Sequence, residues 1–198
     1  MRKNKIMIIE SVKLIQDLIE RTRININQAE NFKTLSTEKL NWRPENDRWS
    51  ILECFEHLNL YGDFYIPEIK KRIKNSKTQH QENFKSGILG NYFAKSMLPK
   101  ERLNKMKTFK DKNPLGSKLD KTTIERFISQ QEQILSLLDK SREIDLNKTK
   151  TAISISKLIK LKIGDTFRVV VYHNERHLVQ ANKILNRKAY AQSSRPPR

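Results

Sequence analysis

The sequence has few of the residues that build cross-linked or sheet-rich folds. Among its 198 residues there are five glycines and one cysteine, Cys54. A single cysteine excludes an internal disulfide framework and is typical of a reducing compartment, so we expect a cytoplasmic protein. Few glycines and a hydrophobic content of 36% favour a helical fold over a β-sandwich or a doubly wound sheet.

Long apolar runs are also missing. No stretch approaches the roughly 20 apolar residues that a membrane-spanning helix needs. The basic N-terminal residues are followed by a four-residue apolar stretch at 6–9 and then by Glu10, which is too short for a secretory signal. We therefore expect no membrane partner. The length predicts one domain, residues 1–190, followed by a flexible basic tail at residues 191–198.

Acidic residues are scarce relative to basic ones. The chain has 22 Asp and Glu against 40 Lys and Arg, a net charge of +18. Such a charge attracts polyanions in general. The basic residues are scattered, however, and no zinc-finger spacing, recognition helix or interleaved aromatic pattern accompanies them. We expect a solvated basic surface without specific nucleic-acid binding, and keep a non-enzymatic protein that binds a polyanion or a partner as the alternative function.

Apolar residues that recur at spacings of three and four predict four long helices. These are residues 5–32, residues 51–75, a helix capped by Asp120 or Thr122, and a last helix that starts at residues 164–166 with Asp165 as N-cap. The second helix opens with Ser50 and Glu53, which have the spacing of a capping box. A short helical turn is expected at residues 35–40, capped by Ser36 or Thr37.

Two segments are harder to assign. Residues 76–119 contain several glycines and prolines, and within them Ile88-Leu89 and Tyr92-Phe93 predict a short packed segment. Residues 152–163 alternate only in part between apolar and polar side chains. This second segment is therefore either a short strand or a packed helical turn.

Two histidines in the last predicted helix form the clearest candidate site. A helix advances about 100° per residue, so His173 and His177 project from one face, one turn apart, where they can chelate one metal ion. The third ligand has to come from another segment, and the chain has two other histidines. His57 lies two turns inside the second helix, whereas His80 lies in a polar stretch that predicts a solvated loop. His57 is therefore the better candidate.

Two motifs resemble the DinB-like (YfiT-like) family of metal-dependent enzymes. The first is Leu40-Asn-Trp-Arg-Pro44 with Trp49-Ser-Ile51 and His57-Leu58, and the second is His173-Asn-Glu-Arg-His177 with Gln180, Ala181 and Ile184. The resemblance implies an all-α, four-helix bundle of up-down-down-up type with a long crossover connection. It also implies a divalent metal held by one histidine of the second helix and two of the last, which correspond to His57, His173 and His177.

The resemblance implies a function as well. Members of the family include thiol-dependent S-transferases and an isomerase that uses low-molecular-weight thiols. We therefore expect a metal-dependent transferase or hydrolase with a small-molecule substrate, a divalent metal ion (zinc or nickel first, then iron or manganese), a low-molecular-weight thiol as a further cosubstrate, and a homodimeric assembly. The crossover, residues 76–119, is expected to border the substrate pocket.

Other residues near these motifs have alternative roles. Asn174 stands where a His-Glu-x-x-His zinc protease carries its glutamate, so no general base is expected there, and Glu175 points away from both histidines. Cys54 either approaches the metal or fills the core, and Tyr61 either donates to a substrate or packs as a buried aromatic. Trp42 and Trp49 are expected to pack at the end of the bundle. Arg176 is a candidate for binding an anionic thiol.

Overall fold

Four long helices form the body of the protein. The computed structural model describes residues 7–99 and 108–193. The four helices are α1 (Ser11–Lys33), α3 (Ile51–Lys74), α5 (Thr122–Lys140) and α6 (Ile163–Ser193), and two shorter ones are α2 (Thr37–Asn41) and α4 (Ile88–Met97). Among the described residues, no helix is long and apolar enough to cross a bilayer.

The direction of each long helix follows from two separate apolar clusters. One cluster contains the start of α1, the ends of α3 and α5, and the start of α6, represented by Leu14, Ile69, Leu138 and Phe167. The other contains the opposite end of each helix. The helices α1 and α6 therefore run from the first cluster to the second, while α3 and α5 run back. This order confirms the predicted four-helix bundle of up-down-down-up type.

The first helix starts later than the sequence predicts. Residues 8–10 form strand β1 (Ile8–Glu10), which pairs in antiparallel register with β2 (Asn83–Lys85). The pairing continues into the start of α1, because Ser11 donates through its backbone N–H to the Glu82 carbonyl (2.7 Å) and through its hydroxyl to the Gln81 carbonyl (2.6 Å). The apolar side chains of residues 8 and 9 are compatible with either structure, and a partner more than 70 residues away selects the strand.

The partly alternating segment before α6 is a β-hairpin. Strand β3 (Lys150–Ile153) pairs with β4 (Ser156–Lys162), which decides between the two alternatives in favour of a strand. The two faces of β4 differ sharply in exposure, with Leu161 4% and Leu158 93% exposed. The otherwise all-α bundle therefore carries two small two-stranded sheets, β1–β2 and β3–β4.

Helix α4 is the predicted packed segment of the crossover, but it packs through a different face. Its buried residues are Gly90, Asn91 and Ala94, whereas Ile88, Leu89 and Tyr92 are exposed. Glycine at position 90 is required, because a Cβ there would lie 2.3 Å from a carboxylate oxygen of Asp165 on α6. The close approach of α4 to α6 therefore selects the small residues and leaves Ile88, Leu89 and Tyr92 outside, while Phe93 and Met97 pack against the core.

Asp165 does not cap its own helix, so that prediction is wrong. Helix α6 begins two residues earlier, and the Asp165 carboxylate accepts from the Gly87 backbone N–H (2.8 Å), from the Ser86 hydroxyl and from Arg168 (3.0 Å). Gly87 is the N-cap of α4, so the carboxylate satisfies a free N–H at the start of a neighbouring helix. Asp165 therefore caps α4 instead of accepting from an N–H in the first turn of α6.

The predicted caps of α2 and α3 are present, whereas the N-cap of α5 is Lys121, which makes no side-chain capping bond, and Asp120 lies one residue before it. Ser36 accepts from Lys39 N–H, and Asp120 accepts from Thr122 N–H at 2.9 Å. At the start of α3, Ser50 accepts from the Glu53 N–H (3.2 Å), and Glu53 accepts from the Ser50 N–H (2.7 Å), a complete capping box. Helix α6 extends through Ser193 and therefore includes residues 191–193 of the predicted tail. Residues 194–198 lie outside the described ranges.

Candidate metal centre

Three histidines from two helices meet in the middle of the bundle. The Nε2 atom of His173 lies 3.3 Å from Nε2 of His57 and 3.1 Å from Nε2 of His177. His57 is on α3, and the other two are one turn apart on α6, as the sequence predicts. Among the described residues, the ligand atoms of these three histidines lie close enough together to hold one metal ion.

Hydrogen bonds at the far side of two rings orient their Nε2 atoms inward. Nδ1 of His57 lies 2.6 Å from the Lys112 carbonyl, and Nδ1 of His177 lies 3.0 Å from the side-chain oxygen of Gln180. Both partners are acceptors, so each Nδ1 carries the hydrogen and each Nε2 keeps a lone pair. In the remaining ring, a single nitrogen, Nε2 of His173, faces the Nε2 lone pairs of both His57 and His177.

Burial keeps the three imidazoles neutral. His57, His173 and His177 are 3%, 9% and 8% exposed. Loss of hydration lowers the pKa of His57 to about 4 and lowers the pKa of His173 and His177 well below the usual value, and the neighbouring histidines add to the effect on the α6 pair. Neutral imidazole is the form that binds a metal.

The distances fit a metal ion better than a hydrogen-bonded cluster. A hydrogen on Nε2 of His173 would have to be shared between the lone pairs of His57 and His177, whereas a cation accepts one lone pair from each of the three rings. A tetrahedral ion with nitrogen ligands at about 2.0–2.1 Å holds them about 3.3–3.4 Å apart. The observed separations of 3.1 and 3.3 Å are close to this value. The three-histidine cluster is therefore able to bind a metal ion.

Two aromatic side chains enclose the cluster. The ring of Trp49 lies 4.6 Å from that of His57 and 5.7 Å from that of His177, between centroids. The ring of Tyr61 lies 5.0 Å from His57 and 4.8 Å from His173. Trp49 is thus more than a packing residue at the end of the bundle. Burial raises the pKa of Tyr61 to about 12, so its hydroxyl stays protonated near neutral pH.

The histidines open onto a cavity of about 1000 Å³. As the family resemblance implies, the crossover contributes to its wall, through Phe93 and Met97 of α4 and through Phe109 and Asn113 further on. Asn113 accepts a hydrogen bond from the indole of Trp49 at 2.9 Å, which ties the crossover to the cluster. The β-hairpin adds Ser154 and Ile155 to the lining.

One face of α6 carries a basic stripe from the histidines to the mouth of the cavity. The residues that line the cavity recur at helical spacing: His173, Arg176, His177, Gln180, Lys183 and Arg187. Arg176 is buried at 5% exposure beside the histidines, and burial lowers its pKa, while Arg187 is exposed at the mouth. Glu45, Asp47 and Arg48 complete the charged lining. Basic side chains therefore outnumber acidic ones in the cavity.

Four residues with open or predicted roles are not among the candidate metal ligands. Cys54 is buried in an apolar cluster, and it is absent from the group of candidate metal ligands, so it fills the core. His80 is exposed in a loop, with Nδ1 2.9 Å from the Arg142 carbonyl. Glu175 pairs with Arg21 of α1 at 3.0 Å. Asn174 donates to Gln131 of α5 at 2.8 Å and supplies no base to the histidines.

Sequence reasoning missed the groups that orient the histidines. Gln180 could have been found, because it lies three residues after His177 on the same helical face. The Lys112 carbonyl could not, since a backbone oxygen from the irregular crossover leaves no signal in the pattern of side chains. Arg48 and Arg187 at the mouth could not be distinguished from the many other basic residues of the sequence.

Comparison with known proteins agrees with the geometry. The sequence profile of the DinB superfamily matches residues 18–181, which includes all three histidines. Neither the curated proteins nor the solved structures contain a match to this chain. The profile covers far more than half of the 198 residues, and we conclude that the chain belongs to the DinB superfamily.

Proposed function

We propose that this protein is a metal-dependent enzyme in which His57, His173 and His177 hold a divalent metal ion. The observation that carries the proposal is the convergence of three buried Nε2 atoms, two of them with hydrogen-bonded Nδ1 atoms that leave the inward lone pair free. Neutral nitrogen ligands suit zinc and nickel, and iron and manganese accept the same donors. Three protein ligands leave a position for water or substrate, as in catalytic sites.

The residues around the cluster prepare it for chemistry. When bound, the metal acts as a Lewis acid that lowers the pKa of a coordinated thiol or water. The Lys112 carbonyl and Gln180 hold two of the rings in position, and Trp49 and Tyr61 keep bulk water from their faces. Such support from outside the ligand set commonly tunes metal affinity.

The cavity favours a thiol over water as the nucleophile. Among the described residues that line it, the carboxylates are Glu45 and Asp47, both exposed at the mouth, and Glu45 lies 3.5 Å from Arg48. Asn174 occupies the position that carries a general base in zinc proteases. A low-molecular-weight thiol needs no such base, because metal coordination favours the thiolate directly. The reaction class we propose is therefore thiol-dependent S-transfer to an electrophilic small molecule.

The basic stripe gives the thiol a place to bind. Low-molecular-weight thiols of cells commonly carry carboxylates, and Arg176, Lys183 and Arg187 line one wall of the cavity in a row that starts beside the histidines. A guanidinium binds a carboxylate with two parallel hydrogen bonds. The sulfur would then reach the cluster while the acidic groups extend toward the mouth.

The test is consumption of an electrophile by metal-loaded protein with and without an added thiol. We expect turnover that requires both the metal and the thiol, falls to background in His57→Ala, and persists in His80→Ala. Ester or amide cleavage without thiol would instead assign the hydrolase reaction. Equal turnover by chelator-treated and metal-loaded protein would contradict the proposal as a whole.

A further inference from the structure

Two segments of the chain contain lysine but no acidic residue. Residues 83–99 and 146–164 together carry seven lysines and no Asp or Glu. The first segment forms β2 and α4, and the second forms the β3–β4 hairpin. A stretch without any acid is unusual even here, since the whole chain has 22 acids among its 198 residues.

The two segments are neighbours on the surface. Helix α4 contacts strand β4, and the Lys162 ammonium donates to the Lys85 carbonyl at 2.6 Å. On β4, Leu158, Lys160 and Lys162 share the outer face, because side chains alternate along a strand. Lys150 lies directly opposite Lys162 in the ladder. Like charges placed opposite each other destabilise a sheet, which indicates that something other than folding keeps them there.

Large apolar side chains project from the same elements. On α4, Ile88 is 79% and Tyr92 59% exposed, and at the hairpin Leu158 is 93% and Ile155 49% exposed. Ile88, Tyr92 and Lys95 are spaced by four and three residues, so they lie along one face of α4. We refer to this combination as the lysine–apolar surface, formed by Lys85, Ile88, Tyr92, Lys95, Lys150, Leu158, Lys160 and Lys162.

The lysines of this surface are not neutralised within the described part of the chain. Lys85, Lys95, Lys150, Lys160 and Lys162 form no ion pair with the described residues, although many other basic side chains do. Their charge is therefore available to a partner of opposite sign. Exposed aliphatic side chains beside unpaired lysines are the composition of proteins that rest on an anionic lipid surface.

We propose that the lysine–apolar surface docks the protein on an anionic membrane surface. The lysines contact lipid headgroups, while Leu158 and Ile88 enter the boundary between headgroups and acyl chains. This mode needs no spanning helix, so it revises the expectation of no membrane partner, which rested on the lack of a long apolar run. Helix α4 and the hairpin also line the cavity, through Phe93 and Ile155 for example, so docking brings the cavity wall close to the bilayer.

Two other occupants fit less well. A second copy of the chain would bring the same acid-free surfaces together and oppose lysine with lysine. Lysines can contact the phosphates of nucleic acid, but its backbone offers no apolar region for exposed aliphatic side chains, and these two segments expose several of them with one tyrosine. Both occupants remain outcomes of the experiment.

The experiment is co-sedimentation of the full chain with lipid vesicles. We compare vesicles of phosphatidylcholine alone with vesicles in which phosphatidylglycerol replaces about a third of the lipid. We expect binding to the anionic vesicles only, weakened by added salt. Each lysine near such a surface is worth about fivefold in affinity, so Lys150→Gln with Lys160→Gln should weaken binding on the order of twentyfold. Leu158→Ser with Ile88→Ser should also weaken it.

Matched controls separate this surface from the overall charge and from exposed apolar area in general. Lys39→Gln with Lys118→Gln removes two exposed lysines near the opposite end of the bundle, and Ile24→Ser removes an exposed apolar residue of α1. We expect the control variants to bind the anionic vesicles nearly as the wild type does. An equal loss in both lysine pairs would overturn the proposal, because net charge alone would then explain binding.

Two further results would assign the surface to another partner and overturn the proposal. One is a loss of duplex DNA binding in the Lys150→Gln, Lys160→Gln variant together with unchanged vesicle binding in the Leu158→Ser, Ile88→Ser variant. The other is conversion of a dimer to a monomer by Leu158→Ser with Ile88→Ser, measured by light scattering. Circular dichroism of each variant checks that the changes at these exposed positions leave the fold intact.

Discussion

Helix α6 carries two buried polar clusters that differ in how their charges and lone pairs are satisfied. Near its start, Asp165 and Arg168 are 1% and 3% exposed in their side chains, and they form an ion pair at 3.0 Å. The carboxylate also accepts from Gly87, and the guanidinium also donates to Ser86 (2.9 Å) and Asn91 (3.2 Å). A few residues later, His173 and His177 face His57 with nitrogens that offer lone pairs and share no compensating charge.

Whether the polar groups of a buried cluster satisfy one another distinguishes a structural cluster from one that can bind a ligand. In the first cluster the groups satisfy one another, apart from Nε of Arg168, which has no hydrogen-bond partner among the described residues. That cluster holds α4 against α6 and needs nothing from outside. In the second, three buried Nε2 atoms converge with no opposite charge beside them, and a cation can accept a lone pair from all three. Burial alone does not identify a functional site; the balance of donors and acceptors does.

The largest effect is expected from breaking the structural cluster. Asp165→Ala leaves the Arg168 cation buried without its partner, which costs about 3–5 kcal/mol in the free energy of unfolding. Urea denaturation measures this loss. The double variant with Arg168→Ala should cost clearly less than the sum of the two single variants, since no charge is then left unpaired.

The control for this prediction is an exposed pair of the same spacing. Asp139 is 74% exposed and lies 3.0 Å from Arg142, so Asp139→Ala should change the free energy of unfolding by less than about 1 kcal/mol. If Asp165→Ala were no more costly than Asp139→Ala, the network around Arg168 would not be what holds α4 in place.

The next effect concerns the metal. A ligand that binds only the folded state stabilises it by about 2.7 kcal/mol at a hundredfold excess over Kd. For a domain of this size, 2.7 kcal/mol raises Tm by roughly 6–11 °C. Zinc or nickel added to the metal-free wild type should produce this rise in a thermal melt, because the ion links α3 to α6. His57→Ala should lose most of it, and His80→Ala should keep it.

Elemental analysis completes the same prediction. His173→Ala and His177→Ala should lose stoichiometric metal while their helix content, measured by circular dichroism, stays near that of the wild type. The apolar clusters at both ends of the bundle carry the fold and do not include these side chains. Full metal occupancy in either variant would refute the assignment of the centre to these residues.

The last effect is a gradual pH dependence of the metal-free protein, small at any one pH step. The pKa of His57 is lowered from 6.5 to about 4 by burial, so the unfolded chain takes up a proton more readily than the folded one. Stability is therefore full above about pH 6.5 and falls as the pH decreases toward about 4. One such histidine contributes at most about 1.4 kcal/mol per pH unit. Urea midpoints across this range should fall less steeply in His57→Gln than in the wild type; parallel slopes would show that His57 does not titrate between these values.

Much of the fold could be predicted because its signals are local. Apolar spacing gives the four long helices, and the capping box of Ser50 and Glu53 fixes the start of α3 from residues three apart. The pairing of His173 with His177 follows from one turn of helix. His57 was a different case: its place in the cluster came from its context and the family resemblance, since no local rule links it to residues 116 positions away.

The rest depended on contacts between distant parts of the chain. Strand β1 and the role of Asp165 were mispredicted, and the buried face of α4 was not specified by the sequence; each is decided by a partner more than 70 residues away. Intrinsic helix and strand propensities are small, and a contact with another element of the fold can outweigh them.

The sequence by itself therefore determined the four long helices, the caps of α2 and α3 and the pair of imidazoles on α6, because each depends on residues within a turn or two of one another. Only the tertiary structure decided that the Lys112 carbonyl would orient His57, that the carboxylate of Asp165 would serve α4, and that two acid-free segments would share one surface. The physical reason is that hydrogen-bond partners and burial are properties of neighbours in space, and a bundle with a long crossover brings together neighbours that the order of residues does not reveal.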